Sequence, residues 1–307
     1  VCGAPILARS LLVNGDPLGL GIAGLRGAGK TALALAMIHQ LRRSKVAGQD
    51  LVLSGLGDTE ARFGTLMHAF FEGQKPGASV PEAPGADGGT QSVSNFCWEL
   101  ALAAQRQRPG MLLSYHDLAG ETWGLEIHQN LPRFERYLRL LASLVLVVDG
   151  AAVATDLGFP ARDAWNAVPR LAENGFAADH QMLATLVDRL GEHAARVNLA
   201  IVVSKVDLFW HDDRWRALQL VEGRDPLGEE HQSLLKDLLI KTNRRDLVLA
   251  SRHKFRNVRL FAVSSLGFRP QTADVRDDRL TRPIEPAGVL TPLEWLLCES
   301  WPALRSR

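Results

Sequence analysis

A glycine-rich stretch near the start of the chain combines the residue types that bind phosphate groups. The stretch GLRGAGKT, residues 24–31, matches the pattern G-x-x-x-x-G-K-[ST] in full. Its glycines allow the backbone to curl so that successive N–H groups point at phosphate oxygens. A lysine follows for the outer phosphates, and a threonine hydroxyl follows for a divalent cation. The residues predicted to bind phosphate are Gly24, Arg26, Gly27, Ala28, Gly29, Lys30, Thr31 and Ala32.

Three shorter motifs follow, each directly after an apolar segment. Asp117 to Gly120 reads D-x-x-G and follows MLLSYH. Residues 204–207 read S-K-V-D and follow LAIVV, and residues 264–266 read S-S-L and follow VRLFAV. In open α/β sheets, ligands bind at the carboxyl ends of the strands. If these apolar segments are parallel strands, the motifs therefore meet at one edge of a sheet.

The segments around the motifs have the pattern of alternating strands and helices. Leu18–Ala23 is a short apolar strand that enters the glycine loop, and Thr31–Lys45 is an Ala- and Leu-rich helix. Near-continuous apolar strands of this kind suit a parallel sheet covered by helices on both faces. The further strands predicted are 51–53, 111–116, 143–148, 199–203 and 258–263, and the further helices are 60–72, 182–196 and 231–240.

A final helix is predicted from the residues around Thr291. Thr291 has the character of an N-cap, Pro292 suits the first helical position, and Glu294 completes a capping box. Trp295 and Leu296 would then dock this helix on the sheet.

The motifs extend over most of the chain, and the sequence contains no internal repeat. We therefore expect one elaborated domain over residues 1–307. Within it we expect a flexible switch region in the Pro-, Gly- and Ala-rich stretch at about 75–92, a helical insert at about 150–198, and a docking helix at about 291–304. The fold class expected is α/β, a three-layer P-loop NTPase fold with a mostly parallel central sheet.

In their order along the chain, the motifs resemble those of Ras-like GTPases. That resemblance implies that Asp117 holds the Mg²⁺ shell through water and that the Gly120 amide meets the γ-phosphate. It implies that Asp207 accepts two hydrogen bonds from guanine, which adenine cannot supply. Ser204, Lys205 and Asp207 would form the guanine-specificity motif, although Ser204 departs from the usual Asn or Thr. The segment Ser264, Ser265 and Leu266 would meet the guanine carbonyl through a backbone amide.

A closer resemblance is to bacterial double-GTPase-like proteins associated with conflict systems. It depends on the glycine loop, on D-x-A-G-E at 117–121 and on P-L-x-W-L-L at 292–297. Members of that group are thought to act as signalling switches beside other proteins. The resemblance therefore implies a protein effector or regulator as a partner.

Some positions depart from the pattern of small GTPases. Glu121 stands where many of them carry a water-orienting Gln, and an anion beside the γ-phosphate predicts slow hydrolysis. Arg26 is either a built-in arginine finger, a residue that blocks a finger from a partner, or a solvated side chain. Thr90 is our first choice for the switch threonine that binds Mg²⁺, with Thr59 and Thr65 as the alternatives.

Composition sets the remaining expectations. A net charge of +1 gives no general reason to expect nucleic acid or an anionic membrane as a partner. Three widely spaced cysteines, no secretory signal and no apolar run long enough to span a bilayer favour the reducing cytoplasm. Because the sequence begins at Val1 rather than at a methionine, the absence of a targeting signal is a statement about these residues alone.

The leading hypothesis is a GTP-binding protein with slow Mg²⁺-dependent hydrolysis that acts as a molecular switch in signalling. Lys30, Arg26, Gly120 and Glu121 are then the candidate catalytic residues, and Thr31, Asp117 and Thr90 the candidate metal ligands. One alternative is an ATP-using P-loop enzyme with Asp117 or Asp149 as its metal-shell acid. Another is a nucleotide-binding scaffold without turnover. A structural protein without a ligand fits least well, because glycines carry a conformational cost.

Overall fold

A computed structural model describes residues 18–25, 27–72, 95–105, 111–117, 138–158, 175–210, 212–213, 215–218, 225–269, 275–276, 279–280, 282–301 and 304. Its main feature is a seven-stranded sheet. The strands of this sheet are β1 (Leu18–Gly24), β2 (Leu51–Gly55), β3 (Asn95–Leu102), β4 (Met111–Asp117), β5 (Leu141–Val148), β6 (Asn198–Val203) and β7 (Asn257–Ala262).

The strand order is β2-β3-β4-β1-β5-β6-β7. The strands from β4 to β7 pair in parallel, whereas β3 pairs antiparallel with both β2 and β4. The expected mostly parallel sheet is thereby confirmed, with an antiparallel ribbon at one side. A separate pair of short strands, β8 (Val275–Arg276) and β9 (Arg279–Leu280), is also antiparallel.

Helices cover both faces of the sheet. Residues of β6 alternate between two cores: Ala200 and Val202 pack with one, and Leu199, Ile201 and Val203 pack with the other. This alternation is the period of two that a strand imposes, and it gives the expected three layers. The helices are α1 (Lys30–Leu41), α2 (Thr59–Met67), α3 (Gly150–Asp156), α4 (Gly175–Leu190), α5 (Glu229–Lys241), α6 (Arg245–Lys254) and α7 (Leu290–Ser300).

The two cores are formed by different helices. Helices α1, α2 and α7 contribute buried side chains to the first core, and α3 to α6 contribute to the second. None of the helices in the described residues has the length and apolar character needed to cross a bilayer.

Strand β3 and helix α6 are among the elements that were not predicted from the sequence. Strand β3 follows the stretch expected to be a flexible loop, all of which lies outside the described residues. It pairs with β2, which is remote in sequence, and with β4, which follows it closely, so tertiary contacts rather than a local motif set its register. Helix α6 has a strongly polar composition, and only one narrow face, with Leu247, Val248 and Ser251, is buried.

The predicted capping box of the last helix is wrong. Helix α7 begins at Leu290, its N-cap is Val289, and no side chain caps it. Burial of Val289 and Leu293 extends the helix start into the core, so Thr291 and Pro292 lie inside the first turn. Proline is tolerated there because first-turn N–H groups have no partner within the helix. Glu294 instead accepts a hydrogen bond from the backbone N–H of Ala47 at 2.6 Å.

The docking of α7 can be tested with a matched pair of leucines. Leu293 on α7 is fully buried, whereas Leu249 on α6 is 40% exposed. We expect Leu293→Ala to lower the free energy of unfolding by about 2 to 5 kcal/mol, because it leaves a cavity in the first core. Leu249→Ala should change that free energy by less than about 0.5 kcal/mol. Urea titration measures both, and equal effects would contradict the docking of α7.

Candidate nucleotide-binding site

The parallel strands bring the sequence motifs to one edge of the sheet. In the register of the sheet, Gly24 lies opposite Val147, and Val148 lies opposite Val203. Val203 in turn lies opposite Ala262. The loops after β1, β5, β6 and β7 therefore begin side by side, where ligands bind in α/β sheets.

The loop between β1 and α1 has the conformation that its glycines allow. Gly27 and Gly29 have φ angles of 78° and 85°, which side chains strongly disfavour. Gly29 is also the N-cap of α1, and no side chain caps the helix. The first N–H groups of α1, on Lys30, Thr31 and Ala32, thus lie at the positive end of the helix dipole.

Lys30 lies within this loop. Its ammonium group donates hydrogen bonds to the carbonyls of Gly24 and Leu25, both at 3.1 Å. The side chain is almost completely buried. A side-chain atom on Gly24 would come within 2.8 Å of the Val147 carbonyl, so β1 needs glycine to approach β5 this closely. Lys30 is therefore held at the turn that its motif predicts.

Ser204 connects the loop after β6 to the loop between β1 and α1, residues 24–31, which we call the phosphate loop. Its hydroxyl donates to the carbonyl of Ala28 at 2.8 Å, with the carbonyl of Val148 as a second acceptor at 3.2 Å. The same oxygen lies 3.5 Å from the backbone nitrogen of Gly150. A side-chain atom on Gly150 would lie only 1.8 Å from the Ser204 carbonyl. The serine thus makes the loop-to-loop contact although it departs from the Asn or Thr of the motif.

Lys205 makes a second connection between the same two loops. Its ammonium group donates to the carbonyl of Gly27 at 2.7 Å and pairs with the Asp149 carboxylate at 2.9 Å. Lys205 has a positive φ of 51°, which turns its side chain back toward the phosphate loop. Asp149 also accepts a hydrogen bond from Ala151 N at 3.0 Å and so caps α3.

Asp207 supplies a buried carboxylate beside these loops. It is 5% exposed, and burial raises the pKa of this carboxyl from 3.8 to about 6. A hydrogen bond from the Ser264 hydroxyl and the charges of Lys205 and Arg269 act against that rise in pKa. A buried carboxylate with spare acceptor capacity can bind a planar group that offers N–H donors.

The S-S-L segment lies directly after β7. Ser264 is fully buried, and its hydroxyl oxygen also accepts a hydrogen bond from Gly267 N at 2.8 Å. Ser265 and Leu266 are half-buried. The structure thus brings the S-K-V-D and S-S-L motifs together through the contact of Ser264 with Asp207.

Four predicted site residues lie outside the described residues, namely Arg26, Thr90, Gly120 and Glu121. Asp117 ends β4, and its backbone pairs with Ile22 of β1, the strand that leads into the phosphate loop. Thr31 is the second residue of α1. The carboxyl end of β4 and the start of α1 are thus at the same edge of the sheet.

The two alternative switch threonines have other roles. Thr59 is buried at the start of α2, and its hydroxyl accepts a hydrogen bond from Cys97 N at 3.1 Å. Thr65 bonds the carbonyl of Ala61 within α2 at 3.1 Å. Both lie at the β2–β3 side of the sheet in this conformation, and the assignment of the switch threonine stays a prediction.

Two residues of the site were not assigned to it from the sequence. Gly150 is needed because Ser204 passes so close to it. Asp149, considered from the sequence only as a metal-shell acid of the ATP alternative, binds the lysine of the S-K-V-D motif. The signal that could have identified them is Asp-Gly directly after the apolar strand 143–148.

A comparison with protein-family models matches residues 19–265 to the family described as Double-GTPase 2. This range includes β1 and all four motifs up to Ser265. The chain belongs to the Double-GTPase 2 family. Membership supports the binding of a guanine nucleotide.

Solved structures similar to this Double-GTPase 2 chain include the S. cerevisiae Ski7 GTPase-like domain, bound in one case to GDP and inorganic phosphate and in another to GTP. The TM-score is 0.45 in both cases, with 13% and 12% sequence identity. The alignments cover 96% and 98% of this chain but 52% and 53% of the solved chains, so it spans about half their length. No curated protein matches the sequence.

The raised pKa of Asp207 predicts an unusual pH dependence of stability. The Asp207 carboxyl keeps its proton up to about pH 6 in the folded state but only up to about pH 3.8 in the unfolded state. Ionised Asp207 therefore destabilises the fold at neutral pH. As the pH falls through 6, Asp207 becomes protonated in the folded state, and this destabilisation is lost. Relative to Asp207→Asn, the unliganded protein should gain about 2 kcal/mol between pH 7.5 and 4.5. Urea titration at both values measures the difference, and a gap that is independent of pH would contradict the burial of the carboxylate.

Removing the Ser204 hydroxyl should weaken both the fold and the site. Ser204→Ala leaves the Ala28 carbonyl without its donor, so we expect a loss of about 1 to 2 kcal/mol in unfolding free energy. Nucleotide affinity should fall as well, because the two loops lose their connection. Ser251→Ala is the matched control, since Ser251 is also buried but bonds only within α6. The two variants are compared by urea titration and by calorimetry. Unchanged nucleotide affinity in Ser204→Ala would contradict the proposed connection.

Proposed function

We propose that this protein binds GTP and GDP, and that it hydrolyses GTP slowly in a Mg²⁺-dependent reaction. The observation that carries the proposal is the pair of contacts between the S-K-V-D loop and the phosphate loop. Ser204 bonds Ala28, and Lys205 bonds Gly27. Because these contacts hold a base-binding carboxylate at a fixed place relative to a phosphate cradle, one ligand that carries both groups fits the site.

At the base end, Asp207 is proposed to accept hydrogen bonds from the N1 and N2 groups of guanine. Its buried position supports this role, since a buried carboxylate gains from each further N–H donor that reaches it. The Ser264 hydroxyl holds the carboxylate from the other side. The stem of Lys205 would pack over the base, and a backbone amide of Ser265 or Leu266 would meet the guanine carbonyl.

At the phosphate end, the amides from Gly27 to Ala32 are proposed to surround the phosphate oxygens. Lys30 would exchange its bonds to the Gly24 and Leu25 carbonyls for bonds to phosphate. Thr31 and Asp117 offer hydroxyl and carboxylate oxygens, the donors that Mg²⁺ prefers. When bound, Mg²⁺ would neutralise charge on the phosphates.

Two features of the site count against the ATP alternative. Asp149, one of the acids considered for an ATP-using enzyme, already pairs with Lys205 and caps α3. Asp207 is an acceptor, and the edge of adenine that corresponds to guanine N1 and N2 has no comparable pair of donors.

We infer slow hydrolysis from the sequence. An acidic Glu121 beside the γ-phosphate disfavours fast hydrolysis, and Arg26 is the candidate to stabilise the transition state. We propose accordingly a slow molecular switch in signalling that acts with a protein effector or regulator in the cytoplasm, as a single elaborated domain over residues 1–307. The bacterial conflict-system context remains part of this proposal.

Calorimetry with Mg-GTP, Mg-GDP and Mg-ATP tests the binding step directly. We expect guanine nucleotides to bind at least about 100-fold more tightly than ATP, since a site built for hydrogen bonds rejects a base without the donors. Lys30→Ala should weaken binding of all phosphate ligands, whereas Asp207→Asn should remove only the preference for guanine. ATP binding equal to GTP binding would exclude the assignment of Asp207.

Turnover is measured separately, as phosphate release from saturating Mg-GTP. If the unaltered protein releases phosphate and Lys30→Ala abolishes this release, the result supports slow hydrolysis at this site. Tight binding without release would instead support the scaffold that holds nucleotide without turning it over.

A further inference from the structure

A segment between β9 and α7 lies against the proposed base-binding loop. We call this segment, Arg282–Val289, the strap; no sequence motif marks it. Ser264 N donates to the Ala287 carbonyl at 3.0 Å, and Ala287 N donates back to the Ser264 carbonyl at 2.8 Å. Glu285 N donates to the Leu266 carbonyl at 3.0 Å. The strap therefore pairs with the S-S-L segment in a short antiparallel ladder.

Gly267 permits this close pairing. Its φ angle is 82°, and a side-chain atom there would lie 1.7 Å from the Glu285 carbonyl oxygen. Its N–H also donates to the Ser264 hydroxyl oxygen at 2.8 Å. A residue with a side chain at this position would face an unfavourable backbone conformation and would have to push the strap away.

The strap is also attached to the helix that carries the phosphate loop. The Pro286 carbonyl accepts a hydrogen bond from the Gln40 side chain of α1 at 2.8 Å. The Arg282 guanidinium lies 4.5 Å from the ring centroid of Phe268, the residue after Gly267. At its other end the strap reaches Val289, which is fully buried where α7 begins. It is thus fixed by both the base-binding loop and α1.

We propose that the strap supports the base-recognition site and that Gly267 is a positioning residue for it. The proposal rests on the guanine-binding function proposed above. The strap holds the backbone of Ser264 and Leu266, and the Ser264 hydroxyl holds the carboxylate of Asp207. A displaced strap would therefore move the amides and the carboxylate that face the base together. The phosphate cradle is formed by other residues and would keep its ligand.

The test compares Mg-GDP with Mg-pyrophosphate, which has no base, by calorimetry on the full chain. We expect Gly267→Ala to weaken GDP binding by about tenfold or more while pyrophosphate affinity changes by less than about twofold. The control is Gly158→Ala. Gly158 has a similar φ of 80° but open space around it, so this variant has the same backbone strain without the clash. It should leave both affinities unchanged.

A second variant keeps the test decisive if Gly267→Ala does not fold. Gln40→Ala removes the attachment of the strap to α1 without introducing strain, and it should weaken GDP binding about threefold with little effect on pyrophosphate. Equal loss of both ligands, or unchanged GDP affinity in the folded variants, would overturn the role of the strap. If the unaltered protein binds GDP no better than pyrophosphate, the proposed function itself fails.

Discussion

The site depends on the parallel pairing of β1, β5 and β6. Parallel strands end at the same edge of a sheet, and the register here sets Gly24, Val148 and Val203 nearly level. This register brings the Ser204 hydroxyl within reach of the Ala28 carbonyl, and the Lys205 ammonium group within reach of the Gly27 carbonyl. A shift of one residue in β6 would exchange the side chains that face the two cores and would move Ser204 and Lys205 away from their acceptors.

Several features at this edge of the sheet lower the free energy of unfolding. Asp207 is a buried carboxylate whose pKa is raised to about 6, and Gly27, Gly29 and Gly267 adopt left-handed conformations. Such features are typical of functional sites, where strain and buried charge are maintained by the surrounding structure. The large apolar cores on both faces of the sheet provide the stability that offsets them.

The second core also contains an ion cluster that supports α3, the helix capped by Asp149. Arg244 is completely buried, and its Nε donates to Asp179 of α4 at 2.9 Å while its Nη1 donates to Asp156 of α3 at 2.6 Å. Burial raises the pKa of Asp179 to about 6 despite the arginine beside it. One guanidinium thus joins the end of α3, helix α4 and the turn between α5 and α6. The second core is therefore stabilised by a polar cluster as well as by apolar packing.

The sequence by itself determined the glycine turn after β1, the parallel strands and the positions of the S-K-V-D and S-S-L motifs at strand ends. These features are local: glycines at a tight turn, a lysine at an apolar helix start and short apolar runs each have their physical cause within a few neighbouring residues. The match of residues 19–265 to the Double-GTPase 2 family agrees with the prediction of a GTPase-like protein from these motifs.

Tertiary structure alone decided which partners the site residues have. The pairing of Lys205 with Asp149 and of Ser264 with Ala287 joins residues that are far apart in sequence, so no local pattern encodes it. Strand β3 gained its place from antiparallel partners on both sides, and α7 began earlier than its capping residues predicted because Val289 and Leu293 are buried. Local propensity is worth about 1 kcal/mol or less per residue, and burial of a single large apolar side chain contributes more than that.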